Sequence, residues 1–326
     1  MKDEFPLSLK SKRTKRTLAF ILLVLLVLYV VLPQFHVFGL NSQMALPKHW
    51  SYFFLALLSF FMTFLISGFS YYFLAFKRLK IRILSLVQLA GATLNLLLPT
   101  GLGNVSINYL YLRTEKHSAV ESGVIVSANN IIGVISNLTM ILIMLLFFGL
   151  NKSESHLYLI QRNWFIGAIA IVVVLIIAAI IIYRGKGRRI KIFRQQLVQA
   201  LKVYRSRSLK LFGAYLCGIM QAGVTVLAFW LCLRAYGVHL SYATSFLIYS
   251  FSVLIGTATP TPGGLGGYEA SLTAGLLATH TLDASLALAI VLAYRLIAYW
   301  LPITIGAFAL FIVNHKQVIQ WRKLPF

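Results

Sequence analysis

Six stretches of this chain, the shortest nineteen residues long, carry no more than one charged residue each: 18–36, 50–76, 124–148, 164–183, 211–234 and 284–312. A helix rises about 1.5 Å per residue, so roughly twenty residues cross a hydrocarbon layer of about 30 Å. Inside lipid the backbone must satisfy its own N–H and C=O groups, which a helix does within one segment. These runs read as full transmembrane helices, and the fold class is all-α polytopic membrane protein. Composition agrees, with 59% hydrophobic and only 11% charged residues, against about 25% charged in soluble proteins. A soluble globular domain, a disordered chain and a collagen-like fibre are excluded. The first run follows Lys10 to Arg16, as a signal peptide would, but no small-residue cleavage site follows at Leu32-Pro33-Gln34-Phe35. It reads as an uncleaved signal anchor.

Four apolar segments are shorter: 83–98, 105–120, 242–259 and 268–282. The first pair flanks Pro99-Thr100-Gly101-Leu102-Gly103-Asn104, and the second flanks Pro260-Thr261-Pro262-Gly263-Gly264-Leu265-Gly266-Gly267. Sixteen helical residues reach about 24 Å, short of a crossing. Proline removes a backbone donor and glycine opens unusual φ, and such backbone survives at membrane depth only under protein or beside a wet cavity. The pairs read as two re-entrant helical hairpins, 83–120 and 242–282, with tips near the midplane.

The net charge is +23, and its placement orients the chain. Of 30 Lys and Arg, 25 fall on segments assigned to the cytoplasm and four on outer segments, Lys48, Lys152, Arg162 and Arg234. The positive-inside rule then puts both termini in the cytoplasm of a cell (inner) membrane. Segment 184–210, with Arg188, Arg189, Lys191 and Arg194 among apolar residues at helical spacing, reads as an amphipathic helix. It would lie on anionic lipid headgroups or simply orient the protein.

Pro99, Leu102 and Gly103 align with Pro262, Leu265 and Gly266 at a shift of 163, half the chain, and the same shift carries span 50–76 onto 213–239 and 124–148 onto 287–311. The chain divides into a basic tail 1–17, a first repeat 18–150, a second repeat 151–312 and a tail 313–326. Because the second repeat starts on the opposite side, the layout is an inverted-topology repeat, the architecture of many secondary transporters.

Only Glu269 and Arg295 are ionisable and clearly deep. An unpaired charge there costs several kcal/mol, so they pair or share a polar cavity. They either receive a lipid headgroup, Arg295 for phosphate and Glu269 for a cationic or hydroxylated group, or lock the hairpin to the last span as a structural ion pair. The glycines Gly101, Gly103, Gly263, Gly264, Gly266 and Gly267 could offer free N–H groups to phosphate or simply permit tight packing. Asn104, with Asn95, Ser106, Asn108, Asn129, Asn130, Ser136 and Asn137, gives the first half a polar lining or interhelical hydrogen bonds. Tyr268, Tyr294, Tyr299 and Trp300 surround the second site, more for packing and anchoring than for stacking. Cys217 and Cys232, about 22 Å apart on one helix, cannot form a disulfide. No metal-ligand spacing, catalytic grouping or cofactor motif is present, so metal, cofactor and enzyme assignments are none.

Pro260-Thr261-Pro262-Gly263-Gly264-Leu265-Gly266, Glu269, Arg295, Trp300 and Gly306 together resemble the lysylphosphatidylglycerol synthase transmembrane region, also called the flippase-like domain family. The resemblance implies movement of lipids, including aminoacylated phosphatidylglycerol, between leaflets, with Glu269 and Arg295 as the site carried over. In the first half the family commonly shows an acidic residue after the hairpin glycine and a nearby arginine, where this chain has Asn104, Ser106 and Ile107. Some relatives are fused or paired with glycosyltransferases, and the fused aminoacyl-transferase domain has no counterpart here. The expected function is a lipid flippase-like transporter whose partners are membrane lipids, anionic phospholipid or lipid-linked sugar. A non-transporting partner of a lipid-modifying enzyme is the alternative, and lysyl-phosphatidylglycerol synthesis a weaker one. Nucleic acid is not an expected partner.

Overall fold

A helix built from apolar, β-branched residues satisfies its backbone without solvent, and every regular element among the described residues is helical. The computed structural model describes residues 46–97, 102–150, 204, 207–259 and 261–315, all within one compact unit. The expected spans 18–36 and 164–183, the tail 1–17, residues 316–326 of the other tail, Gly101, and Arg188, Arg189, Lys191 and Arg194 of the basic segment lie outside the described residues.

The helices are α1 (Trp50–Leu74), α2 (Ile81–Leu97), α3 (Leu102–Thr114), α4 (Ala119–Leu150), α5 (Ser208–Ala235), α6 (Tyr242–Ala258), α7 (Gly267–Leu277), α8 (Ala284–Arg295) and α9 (Leu301–His315). A short 3-10 turn, Pro262–Gly264, joins α6 to α7, and a π-helical turn, Leu296–Trp300, joins α8 to α9. Among the described residues, four helical stretches are long and apolar enough to cross a membrane: Trp50–Leu74, Ala119–Leu146, Ser208–Ala235 and Ala284–Val313. They coincide with four of the expected spans. The chain is a multi-pass membrane protein.

Small residues set the packing, as expected where lipid supplies no hydrophobic drive between helices. Helices α1 and α5 make the most extensive contact and run antiparallel. The N–H of His49, before α1, donates to Ala235 O at the end of α5 (2.9 Å), while Gly213 near the start of α5 lies against the Phe73 ring near the end of α1. Helix α2 lies on α9, where Gly306 allows approach so close that a Cβ would sit 2.5 Å from Leu89 O. Thr93 Oγ1 there donates to Pro302 O (3.1 Å). Helix α4 meets α5 through Ser136, whose hydroxyl donates to Tyr215 O beside Gly218.

The π turn has a local cause. Pro302 has no N–H to give the carbonyl four residues back, so the regular ladder cannot run unbroken through residues 296–302. Such widened turns recur at functional sites, and this one begins immediately after Arg295.

One end of the bundle collects basic residues from three connections. Lys77 Nζ donates to Lys116 O, Arg113 donates to His117 O (2.8 Å), and Arg207 covers the Phe76 ring at 5.0 Å. His117, buried at the centre of this end, ties two loops together: its Nε2 accepts from Lys77 N–H (3.3 Å) and its Nδ1 faces Leu112 O (3.2 Å). Ser118 and Glu121 then start α4 with a reciprocal capping box.

Burial holds the His117 imidazole below its ordinary value of 6.5, and only the neutral ring can accept from Lys77 N–H. Its stabilisation is therefore complete above pH 6.5 and is lost as pH falls through the lowered folded-state value. Thermal unfolding in detergent is expected to show His117→Ala less stable than wild type by about 1–3 kcal/mol at pH 7.5, with the gap narrowing toward pH 5. A gap that stays constant across that range refutes the neutral-imidazole tie.

Candidate functional site

The second hairpin reverses within eight residues, and its backbone needs glycine to do so. Gly263 has φ +61° and Gly266 φ +88°, the left-handed region that side chains resist. At Gly263 a Cβ would also run into the Tyr299 ring, and at Gly264 it would meet Gly256 O at 2.5 Å. Gly256 in turn admits Tyr268 against α6. The tip is thus pressed between α6 and the π turn.

Into this tip reaches Arg295, 5% exposed. Its Nε donates to Glu269 Oε1 at 2.6 Å, and an NH2 hydrogen goes to Gly263 O at 3.2 Å. Its Cζ lies over two rings, Tyr299 at 4.4 Å and Tyr268 at 4.9 Å. Tyr299 is itself held by its hydroxyl donating to Pro262 O (3.3 Å) and by an edge contact with Trp300. The other carboxylate oxygen of Glu269 accepts from Gly266 N–H (2.7 Å), at the start of α7. One carboxylate therefore neutralises the guanidinium and satisfies a helix start, and the arginine clamps the hairpin. Arginine suits this because its planar fork can stack and donate in two directions at once.

Beside the ion pair lies a cavity of about 570 Å³, within the size range of ligand sites. Arg295, Gly263, Gly264 and Tyr268 form one wall, Phe60 and Phe64 of α1 another, and Asn95 of α2, Gln221 and Thr225 of α5, and Val253 and Thr257 of α6 the rest. Both hairpins and both members of the central helix pair contribute. Thr257 at the edge is exposed, beside the exposed Phe251 and Leu254.

The first half carries no ion pair at the corresponding place. A shift of 163 maps Glu269 onto Ser106 and Arg295 onto Ile132, the latter buried in the apolar core. A neutral chain stands there instead. Ser67 donates to Gln88 Oε1 (3.1 Å), Gln88 to Asn108 Oδ1 (2.7 Å), and Asn108 to Asn104 Oδ1 (2.7 Å). Ser70 donates to Asn129 Oδ1 (2.7 Å). Gly103 brings α3 against the backbone of Leu94 and Asn95.

The residues singled out by sequence thus separate into three groups. Glu269, Arg295, Gly263, Gly264 and Gly266 come together, with Gly263, Gly264 and Arg295 on the cavity wall. Asn104, Asn108 and Asn129 join helices within the first half, and Asn95 reaches the cavity. Asn130 and Asn137 are exposed on α4, Asn137 bonding to its own helix at Gly133 O. Sequence reasoning passed over Gln221, Thr225, Thr257 and Tyr249, all cavity-lining. A glutamine and a threonine four apart inside an apolar span were the available signal. Among the described residues no group of His, Cys, Asp or Glu could hold a metal.

The family described as lysylphosphatidylglycerol synthase TM region matches residues 17–306. A UPF0104 membrane protein of Methanothermobacter thermautotrophicus is 33% identical over 81 residues, 25% of this chain. The matched stretch spans 24% of that relative's length.

Removing one partner of a buried ion pair strands the other charge, at about 3–5 kcal/mol. Glu269→Gln is expected to lose about that much stability in detergent, and the double variant Glu269→Gln/Arg295→Met less than the sum of its single changes. Strictly additive losses would show that the two groups do not depend on each other.

Proposed function

The chain belongs to the lysylphosphatidylglycerol synthase TM region family, and on that premise we propose that it is a flippase-like transporter rather than an enzyme. It passes the headgroup of a phospholipid or lipid-linked molecule between leaflets while the tails stay in the bilayer. The observation that carries the reading is the cavity between the two hairpins with Arg295 in its wall. An ionisable group on a membrane span marks a pathway more often than it marks structure alone, and this one is already balanced, so a polar headgroup can pass without meeting a bare charge.

The inverted-repeat reading is supported by how contacts exchange under the shift of 163. That shift takes α1 to α5, the α2–α3 hairpin to α6–α7, and α4 to α8–α9. Helices α1 and α5 pack on each other, α2 packs on α9 as α6 packs on α4, and α3 meets α4 as α7 meets α8. A two-fold axis in the membrane plane produces this pattern, and it would let one central cavity face either side in turn. The charge bias of the loops supports a cell-membrane protein with both termini in the cytoplasm.

Leaflet exchange of a fluorescent panel, phosphatidylglycerol, lysyl-phosphatidylglycerol and a glycolipid, in proteoliposomes tests the proposal. Exchange above protein-free vesicles is expected for wild type, with a loss of about tenfold or more in Glu269→Gln and Arg295→Ala. Monodisperse wild-type protein that exchanges no lipid overturns it and leaves a partner-docking role to be sought by co-purification.

A further inference from the structure

The chemistry of the cavity lining selects among headgroups. Five threonines border it: Thr63, Thr225, Thr257, Thr259 and Thr261. A hydroxyl has one proton to donate and two lone pairs to offer. In each of the five the proton is already spent on a main-chain carbonyl: Phe60 O, Gln221 O (2.7 Å), Leu254 O (2.9 Å), Ile255 O (2.9 Å) and Leu265 O (2.8 Å), respectively. Any hydroxyl that these residues turn to the cavity therefore offers its oxygen as an acceptor. Two side-chain amides, Asn95 and Gln221, also line it, each able both to donate and to accept. Neither amide has a side-chain hydrogen bond among the described residues.

Charge in the lining is balanced. Arg295 gives two of its five N–H groups to Glu269 and Gly263 O. Glu269 spends its second oxygen on Gly266 N–H. The N–H of Gly264 goes to Thr261 O (3.0 Å), so the glycine tip does not offer these two amides to an anion. A bare phosphate would meet the remaining N–H groups of one already neutralised arginine and otherwise mostly acceptors. An ammonium would find no free carboxylate and would sit beside a guanidinium. A group with several hydroxyls finds acceptors for its protons and amides for its lone pairs, with Tyr249 and Tyr268 providing flat surface.

We propose that the cavity formed by Asn95, Gln221 and the five threonines receives an uncharged, hydroxyl-rich headgroup of the glycosyl type, in preference to a phosphate or an aminoacyl ammonium group. This rests on the reading of the protein as a lipid transporter and names the class of lipid that it carries. The acceptor-rich wall reads the sugar hydroxyls, and Gln221, mid-way along α5, takes the ring at the depth of the hairpin tips.

Two measurements separate this proposal from the transport reading. The first is leaflet exchange, in proteoliposomes, of glucosyl diacylglycerol, phosphatidylglycerol and lysyl-phosphatidylglycerol bearing the same labelled acyl chain. The glucosyl lipid is expected to exchange about tenfold faster than lysyl-phosphatidylglycerol. Gln221→Leu and Thr257→Val are each expected to slow it by several-fold to about tenfold. Fastest exchange of either charged lipid, or equal rates across the panel, overturns the headgroup assignment while transport itself stands. The second is binding of hexyl glucoside, hexyl phosphate and hexylammonium to wild-type protein in nanodiscs, read by tyrosine fluorescence. Saturable binding of the glucoside, weakened in Gln221→Leu and stronger than that of both ions, upholds the assignment even if no lipid exchanges, in which case transport alone falls. Tighter binding of either ion, or no saturable glucoside binding, overturns it. Wild-type selectivity decides the matter should a variant fail to fold.

Discussion

A guanidinium in the middle of a membrane protein has to be neutralised where it sits, and the second half of this chain is built around that requirement. Arg295 can bond Glu269 at 2.6 Å only because the hairpin tip comes to it, and the tip can come only because Gly263 and Gly266 adopt backbone that other residues resist. Tyr299 and Tyr268 both set their rings against the guanidinium. Tyr299 reaches there from the π turn that Pro302 forces on the last span. Proline, glycine, aromatic and charge thus serve one geometry. Low dielectric strengthens the pair and also raises the cost of breaking it.

The sequence disclosed the long elements well and the site unevenly. Spans 50–76, 211–234 and 284–312 were legible because apolar length is the signal that a bilayer imposes. The pairing of Glu269 with Arg295 was legible because two lone charges in an apolar half have little alternative. The contact of Tyr268 and Tyr299 with the guanidinium was not, since it depends on the widened turn after Arg295, which brings the Tyr299 ring, four residues on, against Cζ. Gln221 and Thr225 were missed for a different reason. A polar residue in a span is hydrogen-bonded to a neighbour far more often than it is left facing a cavity, and only the position of α5 against α1 tells which. Asn130 and Asn137 show the converse: a seven-residue spacing put them on one helix face, but the packing of α4 leaves both exposed.

The chain solves the same packing problem twice by different means. In the first half, Ser67, Gln88, Asn108 and Asn104 pass hydrogen bonds from α1 to α2 to α3 with no net charge at any point. In the second, a single charge pair joins α7 to α8. A neutral side-chain bond contributes about 0.5–1.5 kcal/mol net and charged ones roughly twice that. The neutral chain compensates in number, and each of its members can exchange partners without exposing a charge to lipid.

That difference bears on which half can move. Separating α7 from α8 would leave Arg295 and Glu269 unpaired at depth, a cost of several kcal/mol. Separating α2 from α1 would break only the Ser67–Gln88 bond of the neutral chain. The tip of the second hairpin is therefore held by charge. The first hairpin is held by neutral bonds and by its seat on α9, where Thr93 bonds Pro302 and Gly306 packs on Leu89, and the His117 tie between the 75–80 and 115–118 loops fixes its far end.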